Sequence, residues 1–253
     1  MTAQGRISAD LDRNAGLNHS DIHECSQLNE LKINMDLMSM ISAWHLCGDN
    51  ILIEQMPIFG GYSGGLEETA ICDVASTLAS FAVMGADIHL GGPIHLRWGT
   101  TTNRQSLQIS AHTAMAIDSN TDLLLANQYY AMAGPCTDMN LLEIVAQAMC
   151  DTVCGRELLS GVASAKGVKM NMVSGMEARM LGEASMATCG MSPSEVNDVI
   201  ERILVKYEGR YHNAPEGLPF NRCYHVDSVE PTQEYLDLYD KTLDTVAECG
   251  IMF

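Results

Sequence analysis

Two places in this chain set polar side chains directly behind short apolar runs. Glu54 and Gln55 follow Ile51-Leu52-Ile53, and Gln128, Tyr129 and Tyr130 follow Leu123-Leu124-Leu125-Ala126 by one residue, Asn127. Apolar runs of this length suit strands buried on both faces, and α/β proteins place their chemistry at the C-terminal ends of such strands. A carboxylate there can serve as general acid or base, or can pair with a bound cation. An amide and a phenol beside it can fix the orientation of what is bound. The plainer alternative is that these groups only satisfy loop backbone or order the glycine loop at Phe59–Gly65. His89 and His95 flank a Gly-Gly-Pro turn, and His19 and His23 stand four apart. Neither pair has a third ligand at a familiar spacing, so no metal site is assigned. Cys150 and Cys154 suit a helix face as small buried groups better than a redox pair. No nucleophile elbow and no GxGxxG follow a strand. The chain thus offers acids, amides and phenols, with no evident nucleophile and no cofactor-binding residue.

The elements that must position these groups alternate. Apolar spacing predicts a helix over Ser26–His45 closed by Gly48, a strand at 51–53, and a mobile glycine loop over 59–65. A helix is expected from Leu66 to Met84, with Glu67 and Glu68 in its first turn and Gly85 past its end. A strand over 87–90, a loop to Gly99 and a helix over 103–117 follow, and then the central strand at 122–126. Thr137 is expected to cap a helix to Cys154 that is apolar nearly all round. Leu158–Val162 predicts a strand and Met176–Thr188 a helix. Ser192-Pro193-Ser194-Glu195 combines a capping box with proline at the first helical position, opening a stripe at Val196, Val199, Ile200, Ile203 and Tyr207. A last helix is expected over Thr232–Glu248. Strand, glycine loop and helix at about forty-residue spacing predict parallel βαβ units. The expected fold is an α/β, partial TIM-like (β/α) barrel with C-terminal helices, since only four or five units are visible where closure needs about eight. Residues 1–253 are expected to form a single barrel-type domain, with 192–253 a helical extension of it. The opening 24 residues are polar and turn-like, and Ile7–Leu11 suits a strand end.

The formal net charge of −18, from 14 Lys+Arg against 32 Asp+Glu, argues against nucleic acid and anionic membrane as partners and suits a cationic substrate. No apolar run reaches the length of a membrane span. Nine cysteines without a secretory signal suggest reduced thiols and a cytoplasmic protein. Seventeen methionines beside four phenylalanines suggest a polarizable core that a reducing setting would protect.

Several segments carry a resemblance. Glu54-Gln55-Met56-Pro57-Ile58-Phe59-Gly60-Gly61-Tyr62, Asn127-Gln128-Tyr129-Tyr130 with Ala133-Gly134-Pro135-Cys136-Thr137, and Leu159 to Gly167 closely resemble the monomethylamine:corrinoid protein methyltransferases of methylotrophic methanogens. Gln27 to Lys32, Arg97-Trp98-Gly99 and Gly175 to Met180 agree with them, and the likeness is co-linear over essentially the whole chain. The resemblance implies a TIM-like barrel that moves the methyl group of monomethylamine to the Co(I) of a partner corrinoid protein. The corrinoid (cobalamin) is carried by that partner, and a homo-oligomer is implied for the full-length protein. It also implies a catalytic pyrrolysine encoded by an in-frame amber codon, with Glu54, Gln128 and Tyr130 matching the residues around its ring. Met1 to Gly5 aligns just downstream of the pyrrolysine, so the barrel's first strands and that residue are expected to lie outside this chain, encoded upstream of an in-frame TAG. Leu11–Ser20 departs from the family pattern by a small insertion.

On this basis the chain is expected to be part of a methyltransferase and inactive alone. The alternative is a non-catalytic partial-barrel module that docks a corrinoid protein or complements an N-terminal half. A metal-dependent barrel hydrolase using His89, His95 and Glu54 is a third possibility.

Overall fold

The computed structural model of the chain describes residues 21–27 and 32–253. Its centre is a five-stranded, wholly parallel sheet of β1 (Ile22–Ser26), β2 (Asn50–Glu54), β4 (Ile88–Gly91), β6 (Leu125–Tyr130) and β7 (Leu158–Ala163), in that spatial order. Two short strands, β3 (Ile58–Phe59) and β5 (Ile94–His95), follow β2 and β4 and pair with each other in parallel. Helices α1 (Met35–Cys47), α2 (Leu66–Met84), α3 (Arg104–Asp118) and α4 (Asp138–Val153) connect the strands in turn. Beyond β7 come α5 (Gly175–Thr188), α6 (Pro193–Tyr207), a 3₁₀ turn at Glu208–Asn213 and the short α7 (Phe220–Cys223). A two-stranded antiparallel ribbon of β8 (Tyr224–His225) and β9 (Glu230–Pro231) precedes the last helix, α8 (Gln233–Glu248). The sheet curls as part of a barrel, and the α/β partial-barrel expectation holds.

Strand register divides the sheet into two faces. Glu24 pairs with Leu52, Glu54 with Leu90 and Leu90 with Ala126, so these residues share a front face with Gln128 and Tyr130. Leu52, Met56, Leu90 and Ala126 form a small buried cluster there, with Tyr130 packed against it. On the back face Cys25, Ile51 and Ile53 pack on Ile41, Trp44 and Met84. Leu125 and Tyr129 join the main core with α4 and the C-terminal helices. Because α5, α6 and α8 cover its outer side, α4 lies between two layers.

Glycine stops and polar caps account for most helix ends. Asn34, Asn103, Thr137, Ser192 and Thr232 each accept a first-turn backbone N–H, and Gly48 and Gly85 close α1 and α2 in the left-handed region. The helix expected over 66–84 is found with those bounds.

Three expectations are corrected. The central strand does not stop at residue 126 but runs over Leu125–Tyr130, because Asn127 and Tyr129 are buried against α4 rather than left to a loop. The helix expected over 26–45 is a strand at Ile22–Ser26 followed, after an interval, by a helix from Met35. Alternating burial of His23 and Cys25 marks the strand, and Asn34 caps the helix. Leu28 and Leu31, used for that helix, lie outside the described residues, as do Ile7–Leu11, His19 and the insertion at Leu11–Ser20. The loop expected to be mobile at 59–65 is tied down: Ile58 and Phe59 pair with Ile94 and His95. Gly60 N–H donates to Gly64 O at 3.0 Å, and Gly65 N–H donates to the Glu68 carboxylate at 3.1 Å.

Candidate functional site

The C-terminal ends of β2 and β6 bring Glu54 and Tyr130 onto one face. Glu54 ends β2 half-buried and accepts a hydrogen bond from the Ser26 hydroxyl on β1. Tyr130 ends β6, and its phenol is pushed up by burial and then by the negative charges of Glu54 and Glu24. Those two carboxylates therefore lie within electrostatic reach of the phenol. Glu24, on β1, is itself pushed up, first by burial and then by Glu54. Two neighbouring carboxylates beside a phenol that stays protonated favour a cation and disfavour an anion.

Gln128 shares the face but opens elsewhere. It lines a cavity of about 720 Å³ together with Val162, Ser164, Lys169, Asn171 and Phe220. Glu54 and Tyr130 do not line that cavity, so the front face has two adjoining parts. Opposite Gln128 the ladder to β7 is irregular: Asn127 pairs with Leu159 but Tyr129 with Val162, so β7 holds one extra residue. Gly161 takes φ 121° in that bulge, a conformation that only glycine adopts without strain. Ser160 fixes the bulge by donating to Asn127 O at 2.8 Å.

The other candidates fall away from this face. His89 lies on the back face, fully buried, with Nδ1 2.8 Å from the Ser80 hydroxyl. Burial and the Arg156 charge hold it neutral, with its pKa lowered to about 3. It pairs with Ile53 while Glu54 faces the other way, so the set His89, His95 and Glu54 cannot converge on one metal. His95 packs edge-on to Phe59, and His23 stacks on Trp44 at 4.6 Å and meets Asp49 at 2.9 Å. Among the described residues no group of three His, Cys, Asp or Glu side chains is placed to hold a metal. Cys150 and Cys154 are buried and reduced.

Two features escape the sequence pattern. Glu24 closes the opening read as polar and turn-like and Ser26 starts the expected helix, and only the pairing of β1 with β2 brings them beside Glu54. The helix expected to be apolar nearly all round, α4, is buried all round but carries Asn140, Glu143, Gln147 and Asp151, each 0 or 1% exposed. Their spacing of three, four and four within an otherwise apolar helix was the available signal. These residues hold β6 from behind. Asp151 accepts two bonds from Asn127 Nδ2 at 3.0 and 2.8 Å and is paired with Arg156 Nε at 3.2 Å. Arg156 also donates to Ala126 O at 2.7 Å. Glu143 accepts from Met132 N–H at 2.8 Å and Ala133 N–H at 3.0 Å, just past Tyr130, and burial lifts its pKa to about 7.

Comparison with known proteins agrees with this architecture. A family model described as monomethylamine methyltransferase MtmB matches residues 1–251. Monomethylamine methyltransferase MtmB1 of Methanosarcina acetivorans is 49% identical over 253 residues, covering 100% of this chain and 55% of that protein. MtmB of Methanosarcina mazei is likewise 49% identical with the same coverage. The crystal structure of Methanosarcina barkeri MtmB superposes with a TM-score of 0.95 at 49% identity, again over 100% of this chain and 55% of that one. A second crystal structure, of a hydroxylamine MtmB complex, superposes equally well. The chain spans about half the length of these relatives. Among the described residues no helix is long and apolar enough to cross a membrane.

Proposed function

The chain belongs to the monomethylamine methyltransferase MtmB family, and from that premise we propose that the protein it belongs to transfers the methyl group of monomethylamine to the Co(I) of a corrinoid carried by a partner protein. Glu54, Gln128 and Tyr130 are assigned to the reacting centre. The observation that carries this assignment is the front face itself: Glu54 and Tyr130 lie within electrostatic reach of each other, with Gln128 two residues before the phenol on the same strand face.

Methyl transfer to Co(I) breaks the carbon–nitrogen bond, with the electron pair staying on nitrogen and the cobalt pair forming the new bond to carbon. An amine leaves only when its nitrogen is cationic. Glu54 supplies the negative charge that stabilises that cation and a place for its proton. The Tyr130 phenol, held protonated by burial and by the two carboxylates, donates a hydrogen bond, and the Gln128 amide donates or accepts one beside it. By the family resemblance, a pyrrolysine elsewhere in the complete protein would hold the amine as an electrophile. The corrinoid is a substrate carried by the partner, so this chain needs no resident cofactor, and the proposed setting is cytoplasmic and homo-oligomeric. On this view the 253 residues alone are inactive.

The test is methyl transfer from monomethylamine to cob(I)alamin, assayed with the complete gene product and with this chain alone. Transfer by the complete product that is lost in Glu54→Gln supports the assignment. A complete product that binds the corrinoid protein in a pull-down but never transfers methyl groups supports the non-catalytic docking module instead.

A further inference from the structure

Behind the strand that carries Gln128 and Tyr130, the polar row on α4 does more than fill space. A helix packed on a sheet needs only apolar side chains there, and buried amides and carboxylates cost desolvation unless every group is satisfied. Here the satisfied partners are the backbone of β6 and its exit loop. Gln147 Nε2 donates to Gln128 O at 3.4 Å, while its Oε1 accepts the Thr101 hydroxyl at 2.6 Å. That same hydroxyl accepts Tyr130 N–H at 3.0 Å, and Thr101 N–H donates to Tyr130 O at 3.1 Å. The Thr100 hydroxyl donates to Tyr130 O as well. Both peptide groups of Tyr130 are therefore gripped by Thr100 and Thr101, and Thr101 is anchored to α4 through Gln147. Thr101 and Gln147 are 2% and 1% exposed.

We propose that Thr101 and Gln147 are positioning residues for the methyl transfer: by holding the backbone of Tyr130 and Gln128 from behind, they set where the phenol and the amide stand on the front face. This rests on the assignment of Gln128 and Tyr130 to the reacting centre. The Thr101 hydroxyl donates to the amide carbonyl and accepts the peptide N–H at a single atom, so serine preserves the device and valine, with the same shape, removes it.

The experiment uses the complete gene product, monomethylamine as donor and free cob(I)alamin as acceptor, with rates expressed per folded enzyme. Thr101→Val is expected to lower kcat about tenfold with KM for monomethylamine held within about twofold, since misplaced groups act on the transition state. Thr101→Ser restores kcat to within about threefold of the parent. Gln147→Met lowers kcat in the same direction and carries the test where Thr101→Val does not fold. In a Tyr130→Phe, Gln128→Ala background, Thr101→Val or Gln147→Met costs less than about twofold more, because the groups they position are gone. Parental kcat in both variants, or an undiminished loss in that background, reduces Thr101 and Gln147 to ordinary structural residues and overturns the proposal. If Tyr130→Phe and Gln128→Ala themselves leave transfer at the parental rate, the site assignment fails and the proposal falls with it, an outcome visible in those variants alone.

Discussion

The two faces of the sheet handle charge in opposite ways. The back face buries Asp73, Asp151, Arg156 and His89 at the level of a hydrophobic core, and neutralises them: Arg156 pairs with Asp151, His89 stays uncharged, and Asn127 and Ser110 supply hydrogen bonds. The front face leaves Glu54, Gln128 and Tyr130 half-buried, and there burial and then the charge of Glu54 push Glu24 up. A buried pair is worth little net stability but is costly to break. Glu24, with a second carboxylate beside it, holds its charge against its own preference. The same residue types therefore serve register on one face and suit chemistry on the other.

The sharpest way to break that contrast is on the back face. Arg156→Met leaves Asp151 buried without its cation, and is expected to cost about 3–5 kcal/mol of stability in urea unfolding. A loss below about 1 kcal/mol would mean that the back-face charges are no more committed than the front-face ones. On the front face, Glu54→Gln is expected to leave unfolding almost unchanged. It should slow methyl transfer by the complete product by about 10²–10³, or about 2–4 kcal/mol. Removing that charge should also bring the Tyr130 phenol down toward its ordinary range, read by ultraviolet titration against Tyr130→Phe. A rate equal to the parent would make Glu54 a structural carboxylate.

Glu143 tests the back face by pH. Its pKa stands at about 7 in the folded chain against an ordinary 4.5, so the folded state holds the proton more tightly. Its contribution to stability is complete below about 4.5 and is lost as pH rises through about 7, by about 3 kcal/mol. Asp73, Asp151 and Glu177, also raised by burial, act in the same direction at lower pH. Glu143→Gln should flatten the stability slope between pH 5 and 7, roughly the span of the shift, and an unchanged slope would remove Glu143 as its source. The smallest expected effect is Tyr130→Phe, which removes one hydrogen bond and should cost about 0.5–1.5 kcal/mol in rate. If Tyr130→Phe is inactive while Glu54→Gln is fast, orientation rather than charge governs the front face.

Local chemistry was enough to place much of the fold. Capping residues and glycine stops mark α2, α3, α4, α6 and α8 to within a residue or so, and the apolar triplet Ile51-Leu52-Ile53 lies in a strand that ends at Glu54. The motifs around Glu54, Gln128 and Leu159–Gly167 carried the family. These signals are legible because each depends on residues adjacent in the chain: a cap and its N–H groups, a turn and its glycine, a run and its stop.

What the sequence by itself determined, then, is the order of the elements, the family, and which side chains end two of the strands. The tertiary structure decided the rest. Asn127 and Tyr129 read as the end of a strand because polar side chains usually are, yet β6 continues through them since Asp151, twenty-four residues on, accepts the Asn127 amide. Glu24 read as the end of a turn-like opening and Ser26 as the start of a helix, and only pairing with β2 turns them toward Glu54. The polar stripe of α4 gained meaning only when the exit of β6 was laid against it. In each case the deciding partner is remote in sequence, and a desolvated polar group has no local rule that says where its partner will be.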